Sequence, residues 1–98
     1  MKSITITGKF SKQVNNYIRL DVYASNPAPY DFSKSYDGDF SESISDLKDD
    51  SAYLIDFTGI TFGDFDLEIS GEIISPNPIK GHFKKTDFKP GYAIKTNP

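Results

Sequence analysis

Apolar and polar residues alternate with a period of two through most of this chain. The clearest case is residues 17–25, where every second residue from Ile18 to Ala24 is apolar. A period of two places successive side chains on opposite faces of a β-strand. The same alternation, or a short apolar run, predicts strands at residues 3–10, 17–25, 32–36, 40–44, 52–60, 65–73, 79–83 and 92–95.

Turn-forming residues separate these segments. Two proline-containing stretches, at residues 26–30 and 75–78, cannot lie within a central strand, because proline lacks the backbone N–H that a strand pair needs. About seven short strands with a turn every eight to twelve residues or so are typical of a β-sandwich. We therefore predict a single all-β domain over residues 1–98, a β-sandwich, with a small β-barrel as the alternative.

The middle of the chain predicts a β-hairpin. Asp37 and Gly38 form a dipeptide that is typical of tight hairpin turns. The following strand, at residues 40–44, has few apolar residues, which indicates the edge of a sheet. Residues 45–51 are polar and acidic and predict a loop. Residues 52–60 have apolar side chains on both faces, which indicates a central strand.

The residues Asp37, Gly38, Phe40, Leu47 and Tyr53 follow one another in the order of three motifs, a "DG-F", a "-L-" and a "Y-hydrophobic" motif. This order resembles the prealbumin-like sandwiches, in particular the carboxypeptidase regulatory-like and related bacterial surface modules. The resemblance implies a non-catalytic accessory or adhesive module of a bacterial surface protein or lipoprotein. It implies no functional residues.

Composition and charge exclude several classes of function. The chain has 98 residues, enough for one domain, and its net charge of −3 disfavours binding to nucleic acid or to a membrane surface. No apolar stretch is long enough for a transmembrane helix or a signal peptide, so we expect no membrane insertion. The absence of Cys leaves the compartment open. We expect the cell surface or periplasm if a signal was removed, and the cytoplasm otherwise.

Few residues of this chain suit catalysis or metal binding. The sequence has no Cys and a single His, His82, so we expect neither an activated nucleophile nor a zinc site. Acidic residues alone can bind calcium, but Asp37 and Asp39 lack the spacing of an EF-hand loop. We therefore predict a protein that is not an enzyme and that needs no cofactor or metal.

One strand face suggests a binding site for sugar. If the apolar residues within 17–25 are buried, the opposite face presents four polar or aromatic side chains, those of Tyr17, Arg19, Asp21 and Tyr23. Aromatic rings can stack on a sugar ring, and the charged groups can hydrogen-bond its hydroxyls. Packing across strands on a partly covered face is the alternative role of the same residues.

Two loops suggest a contact surface for a protein. They are residues 26–30 and 45–51, and the contacts that we predict in them are Tyr30, Asp46, Asp49 and Asp50. Our leading hypothesis is a non-catalytic binding or scaffolding module that acts through these loops and the aromatic strand face. One alternative is a small acidic inhibitor or immunity-type protein that blocks a basic site on its partner, and another is a carbohydrate-binding module. We expect a monomer or a weak dimer.

Overall fold

The computed structural model describes residues 1–24, 32–84, 87–88 and 90–98, with only the backbone described at 87–88. The predicted contact Tyr30 and the rest of loop 26–30 lie outside the described residues. The described part of the chain forms nine strands. They are β1 (Lys2–Phe10), β2 (Tyr17–Ala24), β3 (Phe32–Tyr36), β4 (Phe40–Leu47), β5 (Ala52–Ile60), β6 (Phe65–Gly71), β7 (Ile79–Phe83), β8 (Asp87–Phe88) and β9 (Gly91–Lys95).

The strands form two antiparallel sheets. Sheet I has the order β4-β1-β6-β7, and sheet II has the order β3-β2-β5, with β8 and β9 pairing with successive parts of the far edge of β5. Each sheet is therefore four strands wide. An isolated bridge between Ile73 and Thr96 joins the sheets at one corner, but the described strands do not close into a barrel. The predicted β-sandwich is confirmed, with nine strand segments in place of about seven.

The core lies between the inner faces of the two sheets. The alternation of β2 holds, because Ile18, Leu20 and Val22 are fully buried. Phe57 from sheet II and Phe65 from sheet I are also fully buried, and the centroids of their rings lie 6.3 Å apart. Burial of such large apolar side chains is the main source of stability in a chain without disulfides.

The hairpin predicted around Asp37 and Gly38 is wrong. β3 pairs with β2 in sheet II, whereas β4 pairs with β1 in sheet I, so this turn carries the chain from one sheet to the other. A two-residue type I′ hairpin turn needs a positive φ at both central positions, and neither residue adopts one. The edge position predicted for residues 40–44 and the central position predicted for β5 are confirmed.

The loop predicted at residues 45–51 is shorter than expected. β4 continues to Leu47, which is buried, so only residues 48–51 connect β4 to β5. The register of β1 against β4 shifts between Lys2 and Ile4, and Asp46 has a φ of 66°. These features indicate a β-bulge, whose extra residue lets Leu47 return to the core.

Candidate functional site

The outer face of sheet II holds the four residues that we predicted to bind sugar. Tyr17, Arg19, Asp21 and Tyr23 alternate along β2 with fully buried apolar residues, so one face of the strand brings them together. Tyr17 and Arg19 are exposed, whereas Asp21 is buried. A ligand on this face would therefore meet mainly the first half of the strand.

The polar groups of this face are already hydrogen-bonded within the protein. Arg19 Nε and Ser33 Oγ both donate to Asp21 Oδ1, at 3.0 and 2.6 Å. Tyr23 Oη donates to Asp56 Oδ2 at 2.7 Å. The hydroxyls of a sugar would compete with these bonds for the same oxygens, which reduces the free energy gained on binding.

The acidic residues that we predicted to contact a protein lie at the end of β4 and in the turn after it. The Asp49 carboxylate is 3.1 Å from the N-terminal ammonium, and the Asp50 carboxylate is 3.2 Å from Lys95 Nζ. Asp46 is exposed at the β-bulge of β4. Two of the three carboxylates thus have a cation of the same chain beside them, although exposed pairs of this kind are weak.

A third surface lies where β2 begins and β5 ends, and the alternation of apolar and polar residues did not predict it. Four large side chains are exposed there, by 54% for Val14, 52% for Tyr17, 50% for Ile60 and 43% for Phe62. Tyr17 and Ile60 are directly opposed in the β2–β5 pair, so their side chains share the outer face of sheet II. We call these four residues the apolar end.

The two loops that contribute to the apolar end are hydrogen-bonded to each other. Asn16 Oδ1, in the β1–β2 loop, accepts the backbone N–H of Phe62 in the β5–β6 loop at 2.9 Å. The backbone N–H of Ser11 donates to the carbonyl of Asp64 at 2.9 Å, and the N–H of Asp64 donates to Ser11 Oγ at 2.7 Å. These bonds fix the loops before any partner binds, which lowers the entropy lost on association.

The sequence contains a signal for the apolar end that lies outside the alternating segments. Val14 is the single apolar residue in the turn SKQVNN, and Phe62 stands in the turn between β5 and β6. In a turn, no alternation of side chains places a large apolar residue in the core. Such a residue is therefore a candidate for an exposed apolar contact. That both turns lie at one end of the sandwich follows only from the pairing of β2 with β5.

The outer face of sheet I has a depression of about 450 Å³ between β1, β6 and β7. His82 on β7 lies there, with Nδ1 against the Asp66 carboxylate and Nε2 3.7 Å from that of Asp64. The two carboxylates face opposite nitrogens of the ring, so they do not converge on one point. Among the described residues, no group of three His, Cys, Asp or Glu is placed to hold a metal ion.

Asp39 ties the β3–β4 turn to the end of β1 and to the β1–β2 loop. Its Oδ1 accepts the backbone N–H of Phe10 at 2.8 Å and the side-chain amide of Gln13 at 3.1 Å. The bond from Phe10, followed by that from Gln13, lowers the pKa of Asp39. The ionised carboxylate thus supports the loop that carries Val14.

We expect Asp39→Asn to lower the free energy of unfolding by about 1 kcal/mol or less at pH 7, because a neutral amide is a weaker acceptor and solvent screens an exposed carboxylate. The pKa of Asp39 in the folded protein lies below its ordinary value of 3.8, so its carboxylate stabilises the fold fully at pH values above 3.8. This stabilisation is lost as the pH falls through the folded pKa. Urea unfolding of both proteins at about pH 7 and pH 3 measures the difference, and an equal difference at both values would contradict this account.

The described residues include no helix long and apolar enough to cross a membrane. The geometry offers three surfaces for binding: the outer face of β2, the acidic turn after β4, and the apolar end. Comparison with known proteins finds no match to this chain among protein-family models, curated proteins or solved structures.

Proposed function

We propose that this chain is a non-catalytic binding module that contacts a protein partner through its apolar end. The observation that carries the proposal is the exposure of Val14, Tyr17, Ile60 and Phe62 beside loops fixed by hydrogen bonds. Large apolar side chains at the surface favour association, because burying them against a partner removes apolar area from water. The non-catalytic part rests on a sequence with no Cys and one His.

The chemistry of the apolar end indicates the kind of partner. Exposed polar residues of the β1–β2 loop accompany Val14, among them Lys12, Gln13 and Asn15. An apolar centre with a polar rim is the usual composition of a protein interface, and aromatic residues at such a centre contribute most of the binding free energy. We therefore infer a partner that presents an apolar patch of its own.

The proposal is tested with the double substitution Val14→Ser and Phe62→Ser. The wild-type chain, immobilised on a support, is used to capture proteins from an extract, and the affinity of a captured protein is then measured with purified variants. We expect the double variant to bind at least about tenfold more weakly, because two apolar contacts at the centre of the interface are lost.

A matched control is Ile74→Ser, which removes another exposed apolar side chain, in the connection between β6 and β7. We expect this variant to bind as the wild type does. Circular dichroism of all variants should show the same folded sheet. Equal binding by the double variant and by the wild type would remove the apolar end as the contact surface.

We extend this proposal to the setting of the module. The order of Asp37, Gly38, Phe40, Leu47 and Tyr53 and the β-sandwich architecture support a prealbumin-like accessory module of a bacterial surface protein or lipoprotein. Fractionation of the source cells, with detection of the protein by antibody, tests this setting. Detection in the cytoplasmic fraction alone would contradict it.

A second candidate is an acidic inhibitor or immunity-type protein, and the distribution of charge supports it. Residues 37–50 carry six acidic residues and one Lys, a net charge of −5, whereas the other residues carry a net charge of +2. An acidic segment of this kind attracts a basic site on a partner and speeds association at low salt. Carbohydrate binding at Tyr17, Arg19, Asp21 and Tyr23 ranks third, because Asp21 and Tyr23 are engaged in internal hydrogen bonds.

A further inference from the structure

The edge strands of the sandwich differ in their protection against pairing with another strand. β3, β7 and β9 are each five residues long, and each carries a lysine, Lys34, Lys80 or Lys95. Short length and lysine are common ways to prevent pairing between like edges, where lysine would meet lysine. β4 is eight residues long, has neither Lys nor Pro, and carries exposed serines on its outer face. Its bulge at Asp46 affects only the end of the strand, so residues 40–44 form a regular edge in which the inward-pointing charge of Glu42 is the one protecting feature.

The two edges of sheet I also carry opposite charge. β4 lies within residues 37–50, whose net charge is −5. β7 carries Lys80 and is followed by the exposed Lys84, a charge of +2 with His82 neutral. The acidic edge of one copy is therefore attracted to the basic edge of a neighbouring copy.

We propose that copies of this chain associate head to tail, with β4 of one copy pairing with β7 of the next. β1 is antiparallel to β4 and to β6, and β6 is antiparallel to β7, so β4 and β7 run in opposite directions. A neighbouring copy shifted sideways in the same orientation therefore places its β4 antiparallel to β7. The four-strand pattern of sheet I then continues from copy to copy without a change of direction.

One register aligns the inner and outer faces of the two strands. It pairs Phe40 with Phe83, Ser41 with His82, Glu42 with Gly81, Ser43 with Lys80 and Ile44 with Ile79. Phe40, Ile79 and Phe83 are half-buried at the edges of the core, so the pairing covers apolar surface that each copy leaves partly exposed. No lysine faces another lysine. Glu42, which points inwards, already has Lys34 Nζ 3.0 Å away.

Because a head-to-tail interface uses two different surfaces, it does not stop at a dimer. The twist of the sheets would make the assembly a twisted filament of copies. Each copy presents its own apolar end, so such an assembly would hold several binding sites side by side. The inference goes beyond the proposed function, because neither strand of the interface contains a residue of the apolar end.

Sedimentation of the whole chain at about 10 µM to 1 mM tests the inference, because a contact one strand wide is weak. In about 20 mM salt we expect the average mass to rise continuously with concentration, to at least twice the monomer mass of 11.0 kDa. In about 0.5 M salt we expect a value close to that of the monomer, because salt screens the attraction between the edges.

Two charge substitutions test the strand pair itself. Ser43→Lys places a lysine opposite Lys80, and Lys80→Glu places an acidic residue opposite the acidic edge, so we expect each variant alone to remain monomeric. An equimolar mixture should regain the wild-type mass, because the lysine introduced in one variant then lies opposite the glutamate introduced in the other. Thr58→Lys, on the exposed outer face of β5, adds the same charge away from both edges and should assemble as the wild type does.

Three results would each overturn the inference. The first is a wild-type mass that stays at the monomer value at about 1 mM in low salt. The second is a mass that stops rising at two copies, which indicates a symmetric dimer. The third is a mixture of Ser43→Lys and Lys80→Glu that remains monomeric. The Val14→Ser, Phe62→Ser variant should assemble normally, which separates failure of this inference from failure of the proposed function.

Discussion

Gly59→Ala should lower the free energy of unfolding by about 3 kcal/mol or more. Gly59 has a φ of 152°, which side-chain-bearing residues rarely adopt, and an added Cβ would lie 1.9 Å from the carbonyl oxygen of Tyr17. That oxygen belongs to the backbone of β2, so no change of rotamer relieves the clash. β2 and β5, the inner strands of sheet II, would have to separate where Gly59 pairs with Ile18.

Gly38→Ala is the matched control for this substitution. A Cβ at Gly38 would have Gln13 Oε1 as its nearest neighbour at 3.7 Å, which is an ordinary contact. We expect a change of about 0.5 kcal/mol or less in the free energy of unfolding. Urea unfolding, followed by circular dichroism, measures both variants. Similar losses at Gly59 and Gly38 would show that the close approach of β2 and β5 is not the cause.

Phe65→Ala should lower the free energy of unfolding by about 3 to 5 kcal/mol. Phe65 is fully buried at the start of β6, and its ring centroid lies 4.8 Å from that of Phe10 and 6.3 Å from that of Phe57. Removal of the ring loses its transfer free energy and leaves a cavity between the two sheets. A chain of 98 residues has a modest core, so this loss removes a large part of the total stability.

Phe62→Ala makes the same chemical change at an exposed position three residues earlier. We expect it to cost about 1 kcal/mol or less, because the Phe62 ring is 43% exposed. Thermal and urea unfolding of the two variants give the comparison. If Phe62→Ala unfolded the chain as Phe65→Ala does, the ring at 62 would be part of the core, and the apolar end would lose one of its four residues.

The positions of the strands were predictable, because the alternation that defines them is local. β3, β5 and β7 have the bounds that the sequence indicated, and β1 begins one residue earlier than predicted. Where the alternation is interrupted the prediction failed. The bulge at Asp46 shifts the register by one residue, so Leu47 looked like part of a loop although it is buried in the core.

The pairing of the strands was not predictable from the same pattern. The dipeptide of Asp37 and Gly38 occurs in hairpin turns and also in connections between sheets, and only its φ values distinguish the two. The choice depends on whether β3 gains more by pairing with β4 or with β2. That choice is decided by which arrangement buries the apolar faces of all the strands together, a property of the whole chain.

The candidate sites also differ in whether the sequence alone could predict them. Alternation along β2 correctly placed Tyr17, Arg19, Asp21 and Tyr23 on one face, because that placement depends on a single strand. The apolar end combines residues from two loops and two strands, so it existed in no single segment of the sequence. Val14 and Phe62 could be recognised as apolar residues in turns, but not as neighbours at one end.

By itself the sequence determined the positions of most strands, the all-β class, the edge position of β4 and the absence of Cys chemistry. These follow from the period of side chains along a strand and from composition, neither of which depends on distant contacts. The tertiary structure alone decided the sheet order, the bulge, the apolar end and the oppositely charged edges of sheet I. These depend on which strands pair, and pairing is settled by the joint burial of residues far apart in the chain.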